Sequence, residues 1–158
     1  MNAYRAKPLR YPWPPILYLT SILIAMLAGR IAALAPMPSP NPLLLPAIGL
    51  AIGLLALSLD IWAVRTLIER QTPVLDSGCA RHLVTCGPFR FSRNPIYLAY
   101  TLFTLALGLM SGNSWFFAAA LISVTATRLI AIPSEERHLE ARFGFDYESY
   151  RKRTRRWI

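Results

Sequence analysis

Carboxylates are scarce in this chain. Eight Asp and Glu residues stand against 17 Lys and Arg among 158, and only Glu135 and Glu136 are adjacent. Cysteine is scarcer still: Cys79 and Cys86 lie seven residues apart and lack the Cys or His partners of a zinc site. That spacing excludes a disulfide scaffold, leaves no metal to expect, and makes both free thiols on a cytosolic loop. Charge of either sign reaches only 16% against 54% hydrophobic residues, with a mean hydropathy of +0.38, which excludes an ordinary soluble domain. No small-residue cleavage pattern follows the first apolar run, which is also too long for a signal peptide, so that run is expected to stay in the membrane.

What is present is apolar sequence gathered into runs. Ile16 to Ala35 carries one charge, Arg30, and Leu43 to Val64 carries only Asp60. Each reaches roughly the 20 residues that a helix needs to cross ~30 Å of hydrocarbon. Two shorter runs, Ile96 to Met110 and Trp115 to Pro133, are split by "SGNS" at 111–114. The first of these must borrow a turn from Arg93 and Asn94, or sit where the bilayer is thinned. The short uncharged link predicts a tight antiparallel hairpin packed along Ala99, Ala106, Gly108 and Ala118 to Ala120, where small side chains permit close approach. The expectation is an all-α, polytopic membrane protein, one domain over 1–158. Its four spans fall at about 16–35, 43–64, 94–110 and 115–133, with short cytosolic C-terminal helices in 134–158.

The cations orient it. Three precede the first span, five lie between Arg65 and Arg93, eight follow from Arg128 onward, and the opposite loops "PMPSPNP" and "SGNS" have none. The positive-inside rule then places both termini and the middle loop in the cytoplasm. The net charge of +9 reads as a topology signal, and the "RKRTRR" tail as a contact for anionic headgroups of the bilayer rather than for nucleic acid. With no organelle retrieval motif, a bacterial inner membrane is the expected location. Arg30 and Asp60, charges within spans, are expected to pair structurally between the first two helices.

The polar segments carry the chemistry. Pro133 is expected to end the fourth span, Ser134 to cap a new helix that stops at Gly144, and a second short helix to start behind Asp146. His138 reads as a solvated residue of that helix and His82 as loop decoration. Glu135 and Glu136 fall in the first helical turn, where the dipole favours carboxylates. Their position is more specific than that. They leave the membrane opposite a loop ending in Arg90, Arg93 and Asn94, with Tyr97 and Tyr100 leading into the bilayer, so complementary charge meets at one level and a polar ligand could be held there.

The stretch "LVTCGPFRFSRNPIYLAY" followed by "EERHLEARFGFDYESYRKRTRRWI" resembles the small integral-membrane methyltransferases of the isoprenylcysteine carboxyl methyltransferase and phospholipid N-methyltransferase superfamily, over roughly residues 72–158. The pattern is Leu-Val-Thr-x-Gly, an aromatic, Arg-Asn-Pro-x-Tyr, a hydrophobic hairpin, Glu-Glu-x-x-x-Leu and Phe-Gly-x-x-Tyr-x-x-Tyr. The resemblance implies S-adenosyl-L-methionine bound at the cytosolic mouth, and the chain has no Gly-x-Gly-x-x-Gly after a strand. It implies cofactor contacts from Arg81, His82, Leu83 and Val84, from Phe89, from Asn94, Pro95, Ile96 and Tyr97, and from Glu135. Arg90, Arg93 and Glu136 join them by position.

The cofactor's ammonium, carboxylate, ribose and adenine call for acceptors, cations and an apolar floor, which Glu, Arg, Phe and Tyr supply. Tyr100 and Arg128 are the candidate acceptor contacts. No catalytic residue is assigned. Asn94 stands where the prenylcysteine enzymes carry His, and it cannot titrate; Ala131 stands where they carry a substrate arginine. The expected function is methyl transfer from S-adenosylmethionine to a lipophilic or amphiphilic acceptor at the cytosolic face. The alternative is a small four-helix transporter or a non-catalytic membrane protein, with Asp60 as its one acidic candidate near a span. O-, N- and S-methylation stay open, as does oligomeric state.

Overall fold

Backbone in hydrocarbon has no water to bond, so long apolar runs satisfy their N–H and C=O groups internally, as helices. The computed structural model describes residues 13–32, 34, 41–72 and 82–158, and all of its regular elements are helical. They are α1 (Trp13–Ile31), α2 (Leu44–Glu69), a 3-10 turn (Gly87–Arg90), α3 (Pro95–Ser111), α4 (Trp115–Ala126), a π turn (Thr127–Ala131), α5 (Ile132–Phe143) and α6 (Phe145–Arg153). Three helical stretches are long and apolar enough to cross a membrane: α1, α2 and the continuous rod Trp115–Phe143; α3 is a shorter apolar helix. The protein is an integral membrane protein by that architecture.

Its packing is that of a bundle in lipid. Leu23, Ile24, Leu27, Leu50, Leu54, Leu55, Leu121 and Ile122 face outward, while Ala25, Ala56, Ala63, Ala99, Ala106, Ala119 and Ala120 are buried. Small residues inside let the backbones approach, because lipid offers no hydrophobic reward for burying large ones. α3 packs most extensively on α2 and α4 on α1. A Cβ on Gly49 would stand 2.9 Å from the Ala106 carbonyl oxygen, and one on Gly53 3.5 Å from the Ala106 Cβ.

These pairings correct the expected hairpin seam. Ala106 faces α2, Ala119 packs with Ala25 of α1, and Ala118 is exposed. Gly108, against Phe116 and Phe117, serves the α3–α4 contact near the link. The hairpin itself forms: Gly112 adopts φ 66°, the left-handed turn that lets the chain reverse after α3. Asn113 then donates to the Ala25 carbonyl (2.9 Å) and accepts from Trp115 N (3.0 Å), seating the link on α1.

Further expectations change. α3 borrows no turn from Arg93 and Asn94; it starts at Pro95, whose missing N–H is no loss at a first helical position. Pro133 does not end the helix, and Ser134 lies within α5 rather than at its start. The rod continues through the π turn, in which Ile132 N bonds Thr127 O five residues back, and the wider turn accommodates a ring that would clash with the Leu129 carbonyl. α6 starts at Phe145, ahead of Asp146. Among the described residues Arg30 and Asp60 form no ion pair: Arg30 ends α1, whereas Asp60 lies about 24 Å along α2 from its start at the same end of the bundle. His138, expected in solvent, is buried.

Candidate functional site

The polar end of the bundle is where α2 stops, α3 begins and α5 and α6 lie. The 3-10 turn that precedes α3 is pressed onto α2. Gly87 has φ +59°, and a Cβ there would come within 2.7 Å of Thr66 Oγ1, so only glycine fits both the conformation and the space. Pro95, buried at the first turn of α3, then fixes the direction in which Tyr97 leaves.

Two clusters form there. In the first, Tyr97 donates its hydroxyl hydrogen bond to Glu135 Oε1, joining the first turn of α3 to α5. Beside it Glu136 accepts from Arg93 Nη1 (3.1 Å), with side chains 10% and 12% exposed for Arg93 and Glu136. Arg156 grips the same carboxylate with two bonds, Nε to Oε1 at 3.0 Å and Nη2 to Oε2 at 2.7 Å. The adjacent glutamates thus have different partners, because neighbours on a helix point ~100° apart.

The residues after α6 form a strap that closes this cluster. Arg93 N donates to Arg155 O (2.9 Å), Asn94 Nδ2 to Arg156 O (2.9 Å) and Ser92 Oγ to Arg156 O (3.2 Å). α6 docks from below: Tyr150 Oη donates to Phe89 O (2.8 Å) and Arg93 Nη1 lies 3.4 Å from Tyr147 Oη. Burial pushes both phenols upward, and for Tyr147 the Glu136 charge adds to the rise. The Glu136 carboxylate raises the Arg156 guanidinium further above its ordinary value, keeping it charged.

The second cluster is a cavity of about 670 Å³ lined by Glu69, Arg70, Gln71, His82, Leu83, Val84, Thr85, Cys86, Phe143 and Asp146. It mixes two carboxylates, a guanidinium and apolar walls, in the size range of small-molecule sites. Phe143 and Glu135 lie eight residues apart on α5, so the two clusters are separated by about 12 Å along that helix.

The candidate residues fall as follows. His82, Leu83 and Val84 line the cavity, and Arg81 lies outside the described residues, as does Cys79; Cys86 is a free thiol. Arg93, Asn94, Tyr97, Glu135 and Glu136 come together, with Pro95 and Ile96 supporting them. Phe89 and Arg90 touch α6 and the strap through their carbonyls, and the Arg90 side chain is exposed. Tyr100 points deeper, its ring 5.6 Å from that of Tyr18, while Arg128 is exposed on the π turn. Arg156, Glu69, Arg70 and Phe143 had no local signal. For Arg156 the only hint was an excess of guanidinium in the tail facing a glutamate pair.

Residues 44–146, from the start of α2 into α6, match the family model described as phospholipid methyltransferase. An uncharacterised protein of Haemophilus influenzae is 35% identical over 63 residues, which are 40% of this chain and the whole of that protein. No solved structure matches. With more than half of its length matched, and with the helical membrane architecture around that stretch, the chain belongs to the phospholipid methyltransferase family.

Proposed function

We propose that the protein transfers a methyl group from S-adenosylmethionine to a lipophilic or amphiphilic acceptor at the cytoplasmic face of a bacterial inner membrane, as a single domain with both termini cytoplasmic. The observation that carries this reading is the placement of an approximately 670 Å³ polar-and-apolar cavity two to three turns of α5 from the Tyr97–Glu135 pair, at the end of the bundle where the cations collect.

The residues present fit the cofactor's chemistry. Glu69 and Asp146 are acceptors for an ammonium or a ribose diol, Arg70 is a partner for a carboxylate, and Leu83, Val84 and Phe143 offer an apolar floor to a purine. When bound, the cofactor supplies a methyl group already activated on a sulfonium. What the chain has to add is positioning and exclusion of water. Tyr97 and Glu135 hold the first turn of α3 against α5, and the Arg93–Glu136–Arg156 group fixes the same junction from its outer side. Glu136 is thereby engaged by two guanidiniums, which makes it a holder of the site's frame, with Glu135 the carboxylate nearer the acceptor side.

The test is calorimetry of the purified protein in dodecyl maltoside with S-adenosylhomocysteine. Saturable binding of one ligand per chain is expected. No heat of binding from micromolar to millimolar ligand would refute the reading.

A further inference from the structure

α1 lies wholly outside the matched stretch 44–146, yet one of its turns is bonded to both of the helices that carry the Tyr97–Glu135 pair. The buried Tyr18 places its hydroxyl 2.7 Å from Thr101 Oγ1 on α3. Thr101 has one hydroxyl hydrogen and donates it to the Tyr97 carbonyl at 2.8 Å, so Tyr18 is the donor to Thr101. α1 thereby grips, through Thr101, the residue whose phenol reaches Glu135 of α5.

The same turn holds the other helix. Ser123 Oγ, buried on α4, donates to Ser21 Oγ at 2.9 Å, and Ser21 donates onward to the Tyr18 carbonyl at 2.9 Å. From Ser123 the rod runs without a break to Glu135, about 18 Å further along. At the link end α3 and the rod are joined by the chain itself; toward the polar end Tyr18 and Ser21 join them by side chains.

Hydroxyls in a membrane interior are costly unless paired, and once paired they add little stability, because separated helices find other partners. Small apolar residues, such as Ala25 against Ala119 lower in the bundle, would hold these helices together as well. What a phenol, a threonine and two serines add is direction. Hydrogen bonds fix one height and one rotation of α1 against α3 and α4, and the Thr101 bond to the Tyr97 carbonyl shapes the opening turns of α3.

We infer that Tyr18 and Ser21 are positioning residues for methyl transfer: their turn is a bracket that fixes how α3 presents Tyr97 to Glu135, and the site is incomplete without α1. The part in methyl transfer rests on the reading above, whereas the bracket rests on the geometry of the four hydroxyls. Neither residue lines the cavity, so both act through Thr101, Tyr97 and the rod.

The experiment uses the full chain in dodecyl maltoside micelles, its tyrosines labelled at Cζ with the NMR-active carbon isotope. That carbon reports the hydrogen bond of its own phenol, and disappearance in Tyr97→Phe identifies the Tyr97 signal. Glu135→Gln supplies the position of that signal when the charge-assisted bond is gone. Tyr18→Phe, which removes one oxygen and keeps the ring, is expected to move the signal toward that position, the ratio of parted to joined Tyr97–Glu135 rising roughly threefold, the worth of one interhelical hydrogen bond. Thr101→Val should do the same from the α3 side and Ser21→Ala from the α4 side, while Thr101→Ser, which keeps the hydroxyl, should hold the wild-type position. Thr104→Val controls for a merely structural effect: it deletes a buried hydroxyl whose bond ends on the Tyr100 carbonyl at 2.8 Å, and it should leave the Tyr97 signal in place. An unmoved signal in Tyr18→Phe or Ser21→Ala overturns the proposal, as does an equal shift in Thr104→Val; should Tyr18→Phe not fold, an unmoved signal in Thr101→Val overturns it from the other partner. The S-adenosylhomocysteine titration of the wild type is read separately. Cofactor binding with an unmoved signal removes the bracket alone; a shifted signal without cofactor binding keeps the bracket and removes its part in methyl transfer.

Discussion

Substituting Glu136 by Gln tests how the polar end is held. Glu136 and Arg93 are nearly buried, at 12% and 10% exposure, whereas Arg156 is 42% exposed on its outer side. Removing the carboxylate's charge leaves a buried guanidinium with only Tyr147 at 3.4 Å, and breaking a buried pair in this way costs ~3–5 kcal/mol. The amide still accepts one bond, so the lower end, about 3 kcal/mol, is expected. Arg156→Ala deletes the other half of the same network, but from a partly solvated position. Exposed pairs are worth ~0–1 kcal/mol, and the backbone carbonyls of Arg155 and Arg156 keep their bonds to Arg93, Asn94 and Ser92. A loss of about 1 kcal/mol follows. Equilibrium unfolding in mixed micelles measures both, and the double variant should show coupling, because a neutral amide has less to offer Arg156 than the carboxylate it replaces. If Arg156→Ala costs as much as Glu136→Gln, the exposed strap and not the buried pair holds the junction, and the reasoning fails.

Three other outcomes are expected. Gly49→Ala pushes a methyl to 2.9 Å from the Ala106 carbonyl and should cost ~1–3 kcal/mol, whereas Gly53→Ala meets ordinary contact at 3.5 Å and should stay within ~1 kcal/mol; the same unfolding assay reads both, and equal losses would refute the α2–α3 register. Asp146→Asn, in the cavity wall, should weaken S-adenosylhomocysteine binding ten- to a hundredfold, the worth of a charge-assisted bond of ~1.5–3 kcal/mol, while Glu140→Gln, exposed and 3.8 Å from Arg151, should stay within about twofold by calorimetry. Tyr147 and Tyr150 are raised by burial, so the unfolded segment ionises first as pH climbs. Docking of α6 is then fully present below pH ~10 and is lost above it as the folded values are approached. A spin label at Arg153→Cys should become mobile over that range, and Tyr150→Phe should blunt the change.

The membrane helices were legible because composition alone forbids any other state for runs such as Leu43–Val64. Their partners were not, since a small-residue stripe such as Ala99–Ala106 says that a neighbour comes close without saying which. The aromatic, Arg-Asn-Pro-x-Tyr and Glu-Glu pieces were readable as one neighbourhood, and the structure brings Arg93, Asn94, Tyr97 and the glutamates together. The division of labour between Glu135 and Glu136 was not readable. It depends on Arg156 folding back across twenty residues, a tertiary choice that no local pattern encodes. Pro133 misled for a related reason: a proline ends a helix only where the preceding turn cannot widen.

That widened turn affects how length changes in the chain are tolerated. Within Thr127–Ala131 the rod carries one residue more per turn than regular helix needs, so counting 3.6 from Trp115 assigns every side chain beyond Ile132 to the wrong face by about 100°. The surplus acts as slack. Deleting Leu129 should let the turn relax to regular helix while Glu135 still meets Tyr97. Deleting Ile122 from the body of α4 has no such reserve nearby and should swing both glutamates away from α3. A related chain that reaches its glutamates one residue sooner after the hairpin could therefore aim them the same way, and an alignment gap placed at this turn would be structurally silent.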